Sequence, residues 1–186
     1  MFRLPRALSL IGSLGLAAAI ALSAAPAARA ADSVTIAVTG GDRTASIADL
    51  TLSAVNYSHA QQNQTGSMTL TADDSTGSGQ GWNVTVQSSA FNHDSGGAPI
   101  PAANFSIDTP ATPVATAGQA RDDTNGPRAG AGGTLETARR VIYANASYGQ
   151  GTYTQSLPVT LTVPAQARAG TYSASLTVTM AVGPGE

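Results

Sequence analysis

The side chains that could carry out catalysis are few in this sequence. It contains two histidines, His59 and His93, and no cysteine, which excludes a thiolate nucleophile and a thiolate metal site. His93 precedes Asp94, but adjacency in the chain does not create the geometry of a histidine that activates a nucleophile. There is no Gly-x-Ser-x-Gly elbow and no histidine pair at the spacing of a zinc-binding helix. We predict no catalytic residue and no cofactor; two acids that meet in the fold, as in a glycosidase, remain the alternative.

Two acidic segments resemble metal sites only in part. In residues 122–126 the order of acids, Thr, Asn and Gly is similar to a calcium loop. Counting back from Gly126, however, the first ligand position falls on Arg121 and the twelfth on Gly132 rather than on a glutamate. Asp73 and Asp74 precede Ser-Thr-Gly and are typical of a turn whose carboxylates bind local N–H groups. We therefore predict no metal site, with a weak calcium site as the alternative.

Aromatic residues are the first candidates for ligand binding. Trp82 is the only tryptophan. An exposed indole offers a flat face to a sugar, whereas a buried indole fills a core with its N–H hydrogen-bonded. Because Val84 and Val86 alternate with Trp82, the core position is the favoured interpretation. Tyr153 and Tyr172 have the same two interpretations.

Arg139 and Arg140 are the second candidate, as the only adjacent basic pair after residue 30. Such a pair can bind a carboxylate bidentately. The favoured alternative is a solvated strand end, because exposed charges at such positions contribute little.

Charge excludes one class of partner. Three of the nine basic residues, all arginines, lie within the first thirty residues, while all eleven acids follow them. Six arginines against eleven acids give the remaining chain a net charge of −5. A protein of this charge without lysine is unsuited to nucleic acid or another polyphosphate.

The N-terminal segment predicts export. Arg3 and Arg6 precede an apolar stretch over 7–25, and Ala28-Arg29-Ala30 has the small-x-small pattern that a signal peptidase cleaves. We expect a signal peptide over 1–30 and a mature chain of 31–186; an uncleaved anchor is the alternative. No later apolar segment is long enough to cross a membrane.

The elements that must position these residues are strands. Apolar and polar residues alternate in short segments separated by turn signals, which predicts an all-β fold, an antiparallel β-sandwich (Ig-like or barrel-like) without a helical domain. Segments 157–163 and 172–182 are predicted to pair with each other. Residues 108–135 are rich in Pro and Gly and predict a long loop. The predicted strands are 34–38, 50–55, 68–70, 81–86, 105–107, 140–143, 157–163 and 172–182.

The strands also carry a family resemblance. Residues 76–80 lead into Gly81 and Trp82, and the chain from about 50 to 184 resembles a WxL domain, named for two Trp-x-Leu motifs. Val84 stands at the first Leu position, Val178 at the second Trp position and Met180 at the second Leu position. The motif positions in this chain are Gly81, Trp82, Val84, Tyr172, Leu176, Val178, Met180 and Pro184.

The resemblance implies a secreted cell-surface protein of a Gram-positive-type cell that binds peptidoglycan or another cell-wall glycan non-covalently, in some cases alongside another exported protein. We therefore expect a signal peptide (1–30), an N-terminal arm or first strand (31–46) and a WxL-like sandwich (47–186) that contains the long loop near 108–135. From composition we expect a surface groove lined by Tyr and Asn or Gln rather than a deep pocket. The alternative function is an interaction protein that assembles with itself or another exported protein through sheet edges.

Overall fold

The computed structural model describes residues 35–183, so the expected signal peptide and Pro184 lie outside the described residues. The chain divides into two units between residues 37 and 38, and the strands belong to the second. A single turn of 3₁₀ helix spans Ala102–Asn104. Within residues 35–183 no helix is long and apolar enough to cross a membrane. The strands are β1 Arg43–Ile47, β2 Gln62–Asp74, β3 Trp82–Ser88, β4 Asn92–His93, β5 Phe105–Ile107, β6 Val114–Gly118, β7 Arg128–Ala129, β8 Gly133–Thr134, β9 Arg139–Ala144, β10 Gly151–Val163, β11 Tyr172–Ser173 and β12 Leu176–Val182.

The strands form two antiparallel sheets and a short two-stranded ribbon. The first sheet has the order β1-β2-β10-β5-β8, with β6 also paired to β10. The second sheet has the order β12-β3-β9-β7, and β11 pairs with β4. Apolar residues of both sheets contribute to one buried core. The predicted all-β antiparallel sandwich is confirmed.

The centre of the first sheet is the pair formed by β2 and β10, each thirteen residues long and paired along its whole length. Met68 lies opposite Leu157, and both are buried. The residues that alternate with the buried ones along β2 and β10 are mostly Thr and Ser, whose side chains face away from the core. This period of two follows from the pleat of a strand with one buried face.

The predicted pairing of 157–163 with 172–182 is wrong. Residues 157–163 belong to β10 in the first sheet, whereas 176–182 form β12 in the second, where β12 pairs with β3. The connection after β10 does not reverse the chain into a hairpin. It crosses to the other sheet, and Tyr172 pairs with His93 on the way.

Two predicted strands are absent from the described residues. Residues 35–38 and 50–55 belong to no strand, although 50–53 retains the predicted alternation, with Leu50 and Leu52 half-buried. Both leucines pack on Gly66 of β2, but none of residues 48–57 forms a ladder with a neighbouring strand. The alternation of apolar and polar residues was therefore not sufficient to predict a strand here.

Residues 108–135 differ from the expected long loop. They include β6, which pairs with the start of β10, and β7 and β8, which pair with β9 and β5. Gly132 makes this possible, because a Cβ at that position would collide with the backbone of Asp108. Glycine thus allows the segment to lie directly against the first sheet.

Candidate functional site

A groove of about 920 Å³ lies between the two sheets at the end where β2 begins and β10 ends. Its base is apolar and includes Met68, Phe105 and Leu161, all buried in the core. From the second sheet, the half-buried side chains of Leu176 and Val178 also line it. The groove is therefore a place where the sandwich core opens to solvent.

One wall of the groove is the extended segment 48–58. A Cβ at Gly66 would lie 2.6 Å from Leu52 Cδ2. The lack of a side chain on Gly66 therefore leaves the space in which this segment packs against β2. The Gln62 amide donates a hydrogen bond to the Asn56 carbonyl oxygen over 2.8 Å. The backbone N–H of Gln166 donates to the Ser58 carbonyl oxygen over 2.8 Å. These contacts fix the far end of the segment against the mouth of the groove.

The opposite wall is the connection between β10 and β11, which His93 holds in place. The His93 ring accepts a hydrogen bond at Nδ1 from the backbone N–H of Ser95 over 3.0 Å. Nε2 therefore carries the proton and donates to the Ala169 carbonyl oxygen over 3.1 Å. The ring also meets Tyr172 edge-on, with centroids 4.9 Å apart. A buried, hydrogen-bonded imidazole thus has a structural role here.

Asp94 lies beside this histidine, with its Oδ1 3.1 Å from the His93 Nδ1. A hydrogen bond from the Ser95 hydroxyl, followed by one from the Thr171 backbone N–H, lowers the pKa of the Asp94 carboxyl below its usual 3.8. The carboxylate is therefore ionised near neutral pH. It stabilises the turn rather than forming a catalytic pair.

The side chains around the opening are mainly aromatic and polar, and Asp49 and Arg168 add one charge of each sign to the lining. Tyr57 is 58% exposed and meets the ring of His59 edge-on at 5.2 Å. Tyr172 and the amides of Gln62 and Gln64 also line the groove. Aromatic faces and planar amides are the groups that recognise the C–H faces and hydroxyls of uncharged sugars. Among residues 35–183, no cluster of three or more metal-ligating side chains occurs.

Trp82 lies in the core and not in the groove. Its side chain is fully buried, and its indole N–H donates to the Gly149 carbonyl oxygen over 2.8 Å. Tyr153 is also fully buried, 6.1 Å from the Trp82 ring, and its hydroxyl donates to the Gln119 carbonyl oxygen over 2.7 Å. The structure therefore contradicts the prediction that Trp82 and Tyr153 contact a ligand, because a fully buried ring exposes no face to a ligand.

Burial also changes the chemistry of the Tyr153 hydroxyl. Desolvation, with a smaller contribution from the charge of Asp74, raises the pKa of this phenol above 10.0. The hydroxyl therefore stays protonated and continues to donate its hydrogen bond over the whole physiological pH range.

The other predicted site residues are divided between two places. Tyr172 lines the groove, as a ligand contact requires. Arg139 and Arg140 lie on β9, away from the groove, and their side chains diverge. Arg139 reaches the Thr134 carbonyl oxygen at 3.4 Å, while the Arg140 guanidinium lies over the ring of Tyr143 at 4.3 Å. Arg139 and Arg140 therefore do not point toward one common ligand position.

The motif positions are mainly structural. Gly81 has a φ of +69°, and a Cβ there would lie 2.6 Å from the Ala144 carbonyl oxygen, so glycine is required immediately before Trp82. Val84 is buried in the core. Leu176, Val178 and Met180 share the inner side of β12, half-buried against the same core.

Tyr57, Gln62 and Gln64 were not among the predicted site residues. The available signal was the amide-rich run over 61–64, at the start of β2. Its position at the mouth of a groove depends on how the extended segment folds back, which no local pattern encodes.

Comparison with known proteins adds one finding. The sequence model of a family described as "WxL domain surface cell wall-binding" matches residues 32–184. No curated protein and no solved structure shows significant similarity to the chain.

Proposed function

The chain belongs to the WxL domain family of surface cell wall-binding proteins, and we propose that it binds peptidoglycan non-covalently through the groove beside segment 48–58. Membership supports a cell-surface protein that attaches to the wall. The proposal adds the wall component and the surface that contacts it. It also includes export of the chain by its N-terminal segment, as the signal pattern predicts.

The observation that carries this proposal is the chemistry of the groove opening. Tyr57 exposes more than half of its side chain, and Gln62 and Gln64 place amide groups beside it. A glycan strand of peptidoglycan presents ring faces and hydroxyls that such groups bind without charge attraction. An acidic protein can therefore bind it despite the negative charge of both partners.

We further propose that attachment involves no catalysis. The family is a wall-binding one. His93, the candidate base in the sequence, uses both ring nitrogens in hydrogen bonds to the backbone of Ser95 and Ala169. An imidazole engaged in this way is not positioned to accept a proton from a nucleophile.

The test is co-sedimentation of the purified protein with peptidoglycan sacculi. We expect the wild type to pellet with sacculi, and Tyr57→Ala to weaken binding about five- to tenfold through loss of one aromatic contact. Tyr57→Phe should bind like the wild type. Val114→Ala is the matched control, because Val114 is another exposed apolar side chain, outside the groove. A folded wild-type protein that stays in the supernatant would refute the proposal.

One observation favours the alternative function as an interaction protein. β12 is the outer strand of the second sheet, and on its free side no described strand continues the sheet. The outward-pointing backbone groups of alternate residues along this seven-residue strand could pair with a strand from another chain. Sedimentation velocity tests this: association that grows with concentration supports strand addition, and a strict monomer opposes self-assembly.

A further inference from the structure

Two arginines and a tyrosine meet on the outer face of the second sheet. Arg128 of β7 lies directly opposite Tyr143 of β9, and its guanidinium carbon is 4.8 Å from the centre of the tyrosine ring. The guanidinium carbon of Arg140 is 4.3 Å from the same ring centre. We refer to Arg128, Arg140 and Tyr143 as the arginine–tyrosine cluster. All three side chains are half-buried, so each retains a solvent-accessible part.

A β-bulge creates this cluster. Residues three apart in a regular strand point to opposite faces, which would separate Arg140 from Tyr143. The register between β3 and β9 shifts between Val84 and Thr85, so that Val141 is an extra residue in β9. Val141 and Ile142 are consequently both buried, and the arginine and the tyrosine lie on one face.

Ion pairing differs among the arginines of the described residues. Among residues 35–183, Arg43 and Arg121 each form an ion pair with an aspartate. Arg128 forms no ion pair with a described carboxylate, and its buried Nε has no hydrogen-bond partner in that part of the chain. Since both guanidinium groups contact one ring, the two cations lie within about one Debye length (~10 Å at 0.1 M salt) of each other. The Arg128 charge, which no described carboxylate compensates and which has a second guanidinium close by, favours an anion beside it.

We propose that the arginine–tyrosine cluster is a carboxylate-binding site for the peptide stems of peptidoglycan, an inference that rests on the proposed function. A guanidinium over an aromatic ring is preoriented and retains N–H groups at its edge, which match the planar fork of a carboxylate. The sequence suggested Arg139 and Arg140 as this fork. The structure replaces Arg139, which turns toward Thr134, with Arg128 from the neighbouring strand.

The charge of the chain selects the type of anion. The described residues carry nine acids against six arginines, so a polymer with a phosphate on every unit is repelled overall. An isolated carboxylate on an otherwise compact peptide gains the local attraction without this repulsion. The carboxylates of stem peptides meet this condition, whereas teichoic-type polyphosphates do not.

The experiment is an NMR titration of the ¹⁵N-labelled protein with a synthetic stem peptide that has free carboxylates, and with the same peptide fully amidated. We expect the acidic peptide to shift the Nε–Hε signals of Arg128 and Arg140, and the amidated peptide to leave them unchanged. Arg128→Gln should weaken binding about tenfold, the loss typical of a charge-assisted hydrogen-bonded pair. Arg128→Lys should also weaken it, because lysine retains the charge but not the fork. Arg121→Gln removes the same charge outside the cluster and should bind like the wild type.

Several outcomes would overturn the assignment. These are no shift with the acidic peptide, equal binding by Arg128→Gln and Arg121→Gln, full binding by Arg128→Lys, or equally tight binding of a glycerol phosphate oligomer. Circular dichroism confirms that each variant is folded. Failure of sacculus binding together with a positive titration would refute the groove proposal alone. Sacculus binding together with a negative titration would refute the carboxylate site alone.

Discussion

The indole N–H of Trp82 donates a hydrogen bond to the carbonyl oxygen of Gly149 over 2.8 Å, although the two residues are 67 positions apart in the chain. Gly149 lies in the connection between β9 and β10, and Trp82 begins β3, so the bond ties this connection to the second sheet. The first tryptophan motif and the glycine-rich segment before β10 are therefore two halves of one packing contact.

Replacing Trp82 tests its role in the core. Trp82→Phe retains a ring but leaves the Gly149 oxygen without its donor, and we expect a loss of about 1–3 kcal/mol in the free energy of unfolding. Trp82→Ala also leaves a cavity and should cost about 3–5 kcal/mol. Urea unfolding followed by circular dichroism measures both, since Trp82 is the only tryptophan available for fluorescence. Loss of wall binding by a folded Trp82→Phe protein would contradict the buried position.

Gly149→Ala tests the other side of the same contact. Gly149 has a φ of +79°, and a Cβ would lie 2.7 Å from Trp82 Nε1 and 2.6 Å from Ala144 Cβ. We expect a loss of about 2–5 kcal/mol, from left-handed backbone strain and overpacking together. Gly77→Ala is the matched control, because Gly77 has a φ of +64° but no atom within 4 Å of the added Cβ. It should lose only about 1–2 kcal/mol. Equal losses in urea unfolding would show that the contact with Trp82 is unimportant.

The predicted and observed pairing of segment 172–182 shows how much of the fold the sequence can predict. Alternation correctly indicated that Leu176, Val178 and Met180 share one face of a strand. It did not identify β3 as the neighbour of β12, because β10 has the same alternation of apolar and polar residues and could pair with β12 equally well. The deciding contacts are the His93 hydrogen bond to Ala169 and the pairing of β11 with β4, which are set by tertiary structure.

The candidate sites were less predictable than the fold. Arg140 and Tyr143 share a face only because Val141 is an extra residue in β9, whereas the period of two places them on opposite faces. Arg128 lies in a stretch that the sequence indicated as loop. Tyr57 precedes β2 in a segment without ladder partners, so periodicity assigns it no face. Sites built from bulges and extended segments depend on register, which short patterns do not specify.

Acid stability should depend on Asp122. The backbone N–H groups of Asn125 and then Thr124 donate to its Oδ1 over 2.7 and 2.9 Å, and these bonds lower the pKa of the carboxyl below 3.8. A lowered folded-state pKa means that the unfolded chain takes up the proton first. The resulting stability is present above pH 4 and is lost as the pH falls from about 4 through the folded-state value.

Asp122→Asn removes this titration while retaining an acceptor oxygen. We expect the melting temperature of the variant to fall less steeply than that of the wild type below pH 4. Asp123→Asn is the control, because the Asp123 side chain is 86% exposed and the turn N–H groups donate to Asp122 instead, so this variant should retain the wild-type slope. Parallel acid profiles for Asp122→Asn and the wild type would show that the turn bonds do not contribute. Melting curves at pH 2–7 provide the measurement.

Val178→Trp tests the relation between the family motif and the groove. Val178 stands at the position of the second motif tryptophan, on the inner side of β12, and its side chain lines the groove. An indole there would enter the open space and bury further apolar surface, so we expect stability to rise by about 1–2 kcal/mol. If sugars bind in the groove, the same indole should weaken sacculus binding, since it occupies the space beside Tyr172 that a ligand needs. Val178→Leu, a smaller change at the same position, should leave binding within about twofold of the wild type because it adds only one methylene. A more stable Val178→Trp protein that binds sacculi like the wild type would place the wall contact outside the groove. The outer edge of β12 or the arginine–tyrosine cluster would then be the next surface to test.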